Sequence, residues 1–298
     1  MSMACAYAIV AYGEDDGALP GSVAAAFDEV DRIDRLMSHY KPESPLSRLN
    51  REAAHGPVAV DPELFDFIAA SLAYSLESDG AFDITVGPLM KAWGFFRGGG
   101  RWPGDAELSE ARARVGYGHV ILDGAARTIR FDRPGVDLDL GGIAKGYAVD
   151  RAVEVLRRAH VTAALVSSGG STVYGLGAPP GRPSWDVEIQ DPVAPGAVAL
   201  TVRFTDRALS VSGSYEKSFE RDGVRYSHIM DPRAGRPVQG MLSVAVLAAT
   251  GTAGDALDDA FFVQGVEASR AYVKRLPATE ALLFLPDGEQ RWKLVRLP

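Results

Sequence analysis

The chain has 298 residues, 47% of them hydrophobic, enough for a sizeable buried core in one large domain or two. Its 31 Lys plus Arg against 39 Asp plus Glu give a formal charge of −8, with no basic run and no aromatic-basic stripe, which argues against nucleic acid as the main partner. The single Cys5 excludes an internal disulfide, and no CxxC or Cys/His cluster offers a zinc site.

Tyr7 to Tyr12 reads as a first strand, and Val23, Phe27, Val30, Ile33 and Met37 recur at helical spacing up to a loop over Ser38 to Pro45. A second helix is announced by Asp61 as N-cap and Pro62 in the first turn. Leu64, Ile68, Leu72 and Leu76 form one face, and Gly80 closes the end. The glycine-rich GGGRWPGDAELSEARAR predicts a surface loop leading into a short helix. Val120 to Leu122 and Thr128 to Phe131 predict a hairpin around Asp123-Gly124. A helix from Gly142 to about Ala159 feeds a strand, Ala163 to Ser167, followed by strand-like VEIQ, VALTVRF, YSHIM and SVAVLAA. A last helix, Gly254 to Gln264, precedes the strands ALLFLP and WKLVRLP. This mixture of helices and antiparallel-looking strands favours an α+β fold over a doubly wound sheet.

No stretch approaches the ~20 apolar residues of a membrane span. The start MSMACAYAIVAYGEDDG has neither the basic nor the full apolar region of a signal peptide, which predicts a cytoplasmic protein. An exported protein whose leader had been removed would read the same.

Four segments carry chemistry. In DLDLGGIAKGYAVD, Gly141 and Gly142 open a helix whose N-terminus, with Lys145 in its first turns, favours a phosphate or carboxylate. Asp139 beside it is an acceptor for a ring or ribose group, or a metal ligand. An ordinary strand-to-helix turn with a solvated Lys145 has the same sequence. In TAGDALDDAFFVQG, Asp255 and Asp259 project from one helix face amid small residues, a costly pair unless a cation such as Mg²⁺ is present. The alternative is a capping-box-like Thr252/Asp255 pair with Asp259 solvated. In YSHIMDPRAGRPV, His228 stands on an extended segment before an Asp-Pro turn and is a candidate general base, or else a hydrogen-bonded core histidine. SSGGS is a second backbone approach to a ligand, or a strand-ending turn. GLGAPPG is no dinucleotide loop, because Pro179 and Pro180 stand where its helix would begin.

Six segments in order, MSHYKPESPLSRLN, AFDITVGPLMKAWGF, DLDLGGIAKGYAVD, VSGSYEKSF, SHIMDPRAG and GDALDDAFFVQG, resemble the ApbE-like flavin transferases, the FAD:protein FMN transferase family. The match spans nearly the whole chain. The resemblance implies a single domain over residues 1–298 with two lobes. Its expected fold is α+β, with a T-fold-like duplicated α/β core, mixed and antiparallel sheets, and FAD in the cleft between the lobes. It implies that Met3, Tyr40, Ala81, Phe82, Asp83, Asp139, Lys145 and Ile229 contact FAD. The Gly142 carbonyl with Asp255 and Asp259 would hold Mg²⁺, and His228 would be the general base. The expected reaction is Mg²⁺-dependent transfer of FMN from FAD to a Thr or Ser hydroxyl of a flavin-acceptor protein, with release of AMP. The same residues suit a Mg²⁺-dependent FAD pyrophosphatase giving FMN and AMP, or a non-catalytic FAD-binding protein. The chain departs from the family pattern at Asp259, usually Thr, at Ala234, usually Thr in the DPxTG turn, in SSGGST, and at Met3-Ala4-Cys5.

Overall fold

A computed structural model describes residues 5–13, 17–288 and 290–298. β1 (Tyr7–Tyr12) leads into α1 (Leu19–Met37), which buries Ala26, Val30, Ile33, Leu36 and Met37 on one face. The expected loop follows it and ends at Ser44. Ser44 accepts a hydrogen bond from the Ser47 N–H, and with Pro45 at the first position it starts α2 (Pro45–Glu52). β2 (Val58–Ala59) precedes α3 (Pro62–Glu77), capped by the Asp61 carboxylate on the Glu63 N–H. The predicted apolar face of α3 turns outward at its end: Leu64 and Ile68 are fully buried, whereas Leu76 is 65% exposed.

α4 (Gly87–Ala92), α5 (Asp105–Arg112) and a 3-10 turn at Tyr117–His119 come next. They are followed by the expected hairpin of β3 (Val120–Asp123) and β4 (Thr128–Phe131), whose turn is held by Asp123 on the Ala125 and Ala126 N–H groups. α6 (Ala144–Arg158) feeds β5 (Ala163–Ser168) and β6 (Thr172–Leu176). Then come β7 (Trp185–Gln190), β8 (Val198–Phe204), β9 (Arg207–Gly213), β10 (Ser218–Arg221), β11 (Val224–Ser227), β12 (Met230–Asp231), β13 (Arg236–Pro237) and β14 (Ser243–Ala248). α7 (Gly251–Val273), β15 (Glu280–Pro286) and β16 (Trp292–Leu297) complete the chain. The predicted end of the last helix at Gln264 marks an interruption rather than a stop: Gly265 takes φ 75°, ψ −175°, and a second helical stretch runs on to Val273.

Seven strands form one antiparallel sheet in the order β1-β5-β6-β9-β14-β15-β16. Alternation along β14 divides the core, because successive side chains point to opposite faces. Val244 and Val246 join α1, α6 and α7 in the main core, while Ala245 and Leu247 meet Ile189 and Phe204 of the β7–β8 ribbon on the other face. A helix followed by an antiparallel hairpin occurs twice, as α6–β5–β6 and α7–β15–β16. A separate aromatic cluster, Leu89, Trp93, Phe95 and Met230 with Phe219 and Tyr226, is built from α4 and the β10–β11 hairpin. Among the described residues no helix is long and apolar enough to cross a membrane.

α6 and α7 cross backbone to backbone at Gly146 and Gly251. A Cβ on Gly251 would stand 2.7 Å from the Gly146 carbonyl oxygen, and one on Gly146 would overlap the Gly251 carbonyl. Neither neighbour is a flexible side chain able to yield. Gly146→Ala is therefore expected to lower stability by about 1–3 kcal/mol, the usual range for overpacking, as read by urea denaturation.

Candidate active site

A cavity of about 280 Å³ lies between the α6–α7 crossing, the end of β9 and the aromatic cluster. Tyr40, Ala81, Phe82, Asp83, Asp139, Gly142, Lys145, His228, Ile229, Asp255 and Asp259 all line it. Every predicted site residue is thus brought to one place except Met3, which lies outside the described residues. A larger open groove of about 670 Å³ runs past His39 and Phe96, but it reaches neither His228 nor the α7 carboxylates. Its charges are largely paired, Lys91 with Asp137 at 2.7 Å and Arg114 with Glu110 at 3.4 Å. The smaller cavity is where the candidate groups meet.

Asp255 is 3% exposed and joins two elements. Its Oδ2 accepts the Gly146 N–H at 2.7 Å and its Oδ1 the Thr172 hydroxyl. The N-terminus of α6 is therefore closed partly by a carboxylate from α7, and Ala144 N–H goes to the Leu140 carbonyl. The expected fan of N–H groups is thus reduced at Ala144 and Gly146, and the Lys145 side chain beside it donates to Ser171 Oγ at 2.8 Å. The Thr252/Asp255 capping pair does not form either. Thr250 is the N-cap of α7 and Thr252 bonds Asp150.

One turn along α7, Asp259 lies against Gly142, where a Cβ would stand 2.5 Å from its Oδ2. A side chain on Gly141 would come within 2.9 Å of Asp139 Oδ1. The two glycines thus admit carboxylates at close range. Asp258, which sequence reasoning passed over, joins the group: Ser212 Oγ lies 3.0 Å from Asp258 Oδ1 and 2.8 Å from Asp259 Oδ1. A hydroxyl has one hydrogen, so it serves both carboxyls only when one of them is protonated. Burial raises Asp255 and Asp259 to about 6, and burial with the charges of Asp259 and Asp255 raises Asp258 well above its ordinary value. The i, i+3, i+4 spacing of 255, 258 and 259 was the signal available for Asp258.

The donors are all oxygen, and the three carboxyls outnumber the Lys145 charge that acts on them, which fits a hard divalent ion better than a soft one. Among the described residues no three His, Cys, Asp or Glu side chains are placed to surround one ion. A bound ion would therefore need main-chain and substrate oxygens as well.

His228 sits in a bend where the strand-like YSHIM segment breaks between β11 and β12. Its N–H is fixed to the Lys217 carbonyl at 2.9 Å, and Nδ1 is buried without a partner. Burial, then the charges of Lys145 and Lys217, lower its pKa to about 4, so the ring is neutral at pH 7 and able to accept a proton. Asp83 lines the cavity with its oxygens already held by the Thr85 N–H and hydroxyl and the Tyr117 N–H. Asp139 differs. Burial pushes its pKa up, but the charge and hydrogen bond of His39, the Gly141 N–H and the charge of Lys217 outweigh that and hold it below the ordinary value. The partnership with His39 was invisible in sequence, 100 positions away.

The ApbE family model matches residues 3–283, and the chain belongs to the ApbE family. It is 36% identical to the FAD:protein FMN transferase of Treponema pallidum, over 90% of this chain and 79% of that protein. It is 34% identical to the protein of the same name in Salmonella typhimurium, over 88% and 76%. The crystal structure of the ApbE protein from Thermotoga maritima superposes with a TM-score of 0.89 at 32% identity, covering 100% of this chain and 95% of the other. The flavin transferase ApbE from Vibrio cholerae gives 0.86 at 28% identity, with the same coverage.

The raised carboxyls make a stability prediction. An Asp259 that titrates near 6 when folded and near 3.8 when unfolded is ionised at a cost that is full above pH 6, shrinks as pH falls below the folded value and is gone only below the unfolded one. In divalent-free buffer at pH 7.5, Asp259→Asn should raise stability by about 1–2 kcal/mol. The gain should shrink toward pH 5. Differential scanning fluorimetry across that range checks it.

Proposed function

We propose that this chain is an FAD:protein FMN transferase, which moves FMN from FAD to a Thr or Ser hydroxyl of an acceptor protein with Mg²⁺ and releases AMP. The observation that carries it is the meeting of His228, Lys145, Asp255 and Asp259 in one cavity. The names of the relatives support the same reaction. We read residues 1–298 as one functional domain of two lobes, with FAD in the cavity between them.

Lys145 neutralises charge on the diphosphate of FAD. Tyr40, Phe82, Ala81 and Ile229 pack against its rings, and Asp139 accepts a hydrogen bond from it. His228 Nδ1, buried and unpaired, takes the proton of the acceptor hydroxyl. The hydroxyl oxygen then bonds to the FMN phosphorus as the phosphoanhydride bond to AMP breaks. One phosphoester forms, AMP departs, and the proton remains on His228 until solvent removes it. Mg²⁺ held by Asp255, Asp259 and the Gly142 carbonyl would supply Lewis-acid neutralisation of the diphosphate.

Incubation with FAD, Mg²⁺ and a panel of flavin-acceptor proteins should give an FMN adduct detectable by intact-protein mass spectrometry. His228→Ala should slow its formation by about 10²–10⁴-fold, the usual range for a general base. Asp255→Ala should abolish it and the Mg²⁺ dependence. AMP appearing at the full rate without acceptor would make the protein a pyrophosphatase, and FAD binding without AMP from any mixture would make it a binding protein.

A further inference from the structure

His39 makes a contact that the transfer reaction as described does not use. It follows α1 directly, and its side chain is 7% exposed. The ring packs edge-on against Tyr40 at 4.1 Å and lies 5.0 Å from Phe96. Nδ1 stands 3.1 Å from Asp139 Oδ1, which also accepts the Gly141 N–H at 2.8 Å. Nε2 is buried and has no partner.

These facts fix what the ring does. Nδ1 must carry a hydrogen, because a carboxylate faces it. The second nitrogen is left as a buried polar atom without a bond, a cost that Leu or Phe at this position would avoid. The geometry returns one thing for that cost: Oδ1 of Asp139 is held from two sides. Oδ2 accepts no hydrogen bond from the described residues, and Asp139 lines the cavity beside Tyr40 and Lys145.

We propose that His39 is a positioning residue for FAD: with the Gly141 N–H it pins one oxygen of Asp139 and so presents the other to the cavity as a fixed acceptor for an N–H or O–H group of the dinucleotide. This rests on the reading that Asp139 contacts FAD. The group His39 serves is acceptor-only and ionised, so the recognised part of the substrate is a donor, a ring imide, an exocyclic amine or a sugar hydroxyl, rather than a phosphate. The effect is on substrate binding, since His39 touches no reacting atom.

The test is steady-state transfer kinetics, with FAD affinity measured in parallel by flavin fluorescence quenching. His39→Leu should raise the KM and Kd for FAD about tenfold, the weight of one charge-assisted hydrogen bond, with kcat within about twofold. His39→Asn should restore both to within about threefold, because its amide stands where Nδ1 does. His39→Gln, whose amide stands where Nε2 does and misses Asp139, should behave like His39→Leu and replaces it if that variant does not fold. Equal losses in His39→Asn and His39→Gln would show that ring packing, not the hydrogen bond, matters, and would overturn the proposal. So would an unchanged KM in His39→Leu when Asp139→Asn raises it. An unchanged KM in Asp139→Asn itself would instead remove the reading that Asp139 contacts FAD.

Discussion

The crossing of α6 and α7 is the constraint on which the site depends. Two glycine backbones touch there, and just beside them the Asp255 carboxylate of one helix closes the N-terminus of the other through the Gly146 N–H. That contact joins residues 109 positions apart. It places Lys145 and Gly142, at the start of α6, next to Asp255 and Asp259, on α7. Asp150 strengthens the crossing from the opposite direction by accepting the Gly251 and Thr252 N–H groups, so each helix start is satisfied by a carboxylate of the other helix. The Asp255 cap is buried and the Asp150 cap part-buried, and a hydrogen bond to an ionised acceptor is strong in such surroundings. The cavity's position therefore follows from a close backbone-to-backbone crossing.

Stability and function oppose each other within the same few residues. Asp255, Asp258 and Asp259 are crowded together under the sheet, and Lys145 is the cation that acts on all three. A protein selected only to fold would replace at least Asp259 with a neutral side chain. Retaining several buried acids is intelligible where a cation and an anionic substrate complete the charge balance, which is why perturbed carboxyls mark functional sites. The rest of the core offsets the cost: the sheet is covered on both faces, and β14 is buried along its whole length.

Much of this was legible in the sequence, and the failures have physical causes. The strongly periodic helices and the Asp123-Gly124 hairpin were read where they occur, and the ordered motifs led to the correct family. β9, RALSVSG, passed unnoticed because serines and other small residues interrupt its apolar pattern. They are small so that α7 can approach, since a Cβ on Gly254 would overlap Ser210. α2 was missed because a Ser-Pro start without a long apolar stripe looks like a loop. Among site residues, single positions such as Asp139 could be nominated, but their partners could not. The His39 contact and the clamp of Asn50 on both backbone groups of Leu138 are long-range, and no spacing rule reaches that far.

The protonation states of the site point to one further step. A histidine held near 4 is a poor base at neutral pH, and efficient proton transfer wants a value closer to the working pH. Two of the causes that hold His228 down are the positive charges of Lys145 and Lys217, both on the cavity wall. On the proposed reading, an anionic diphosphate beside them would offset those charges and move the histidine upward, toward the range in which a base takes a hydroxyl proton. The same lysine charge moves Asp255 and Asp259 downward, toward the ionised state. On the proposed reading the charge of the substrate tunes this histidine, and burial is what makes it sensitive to that charge.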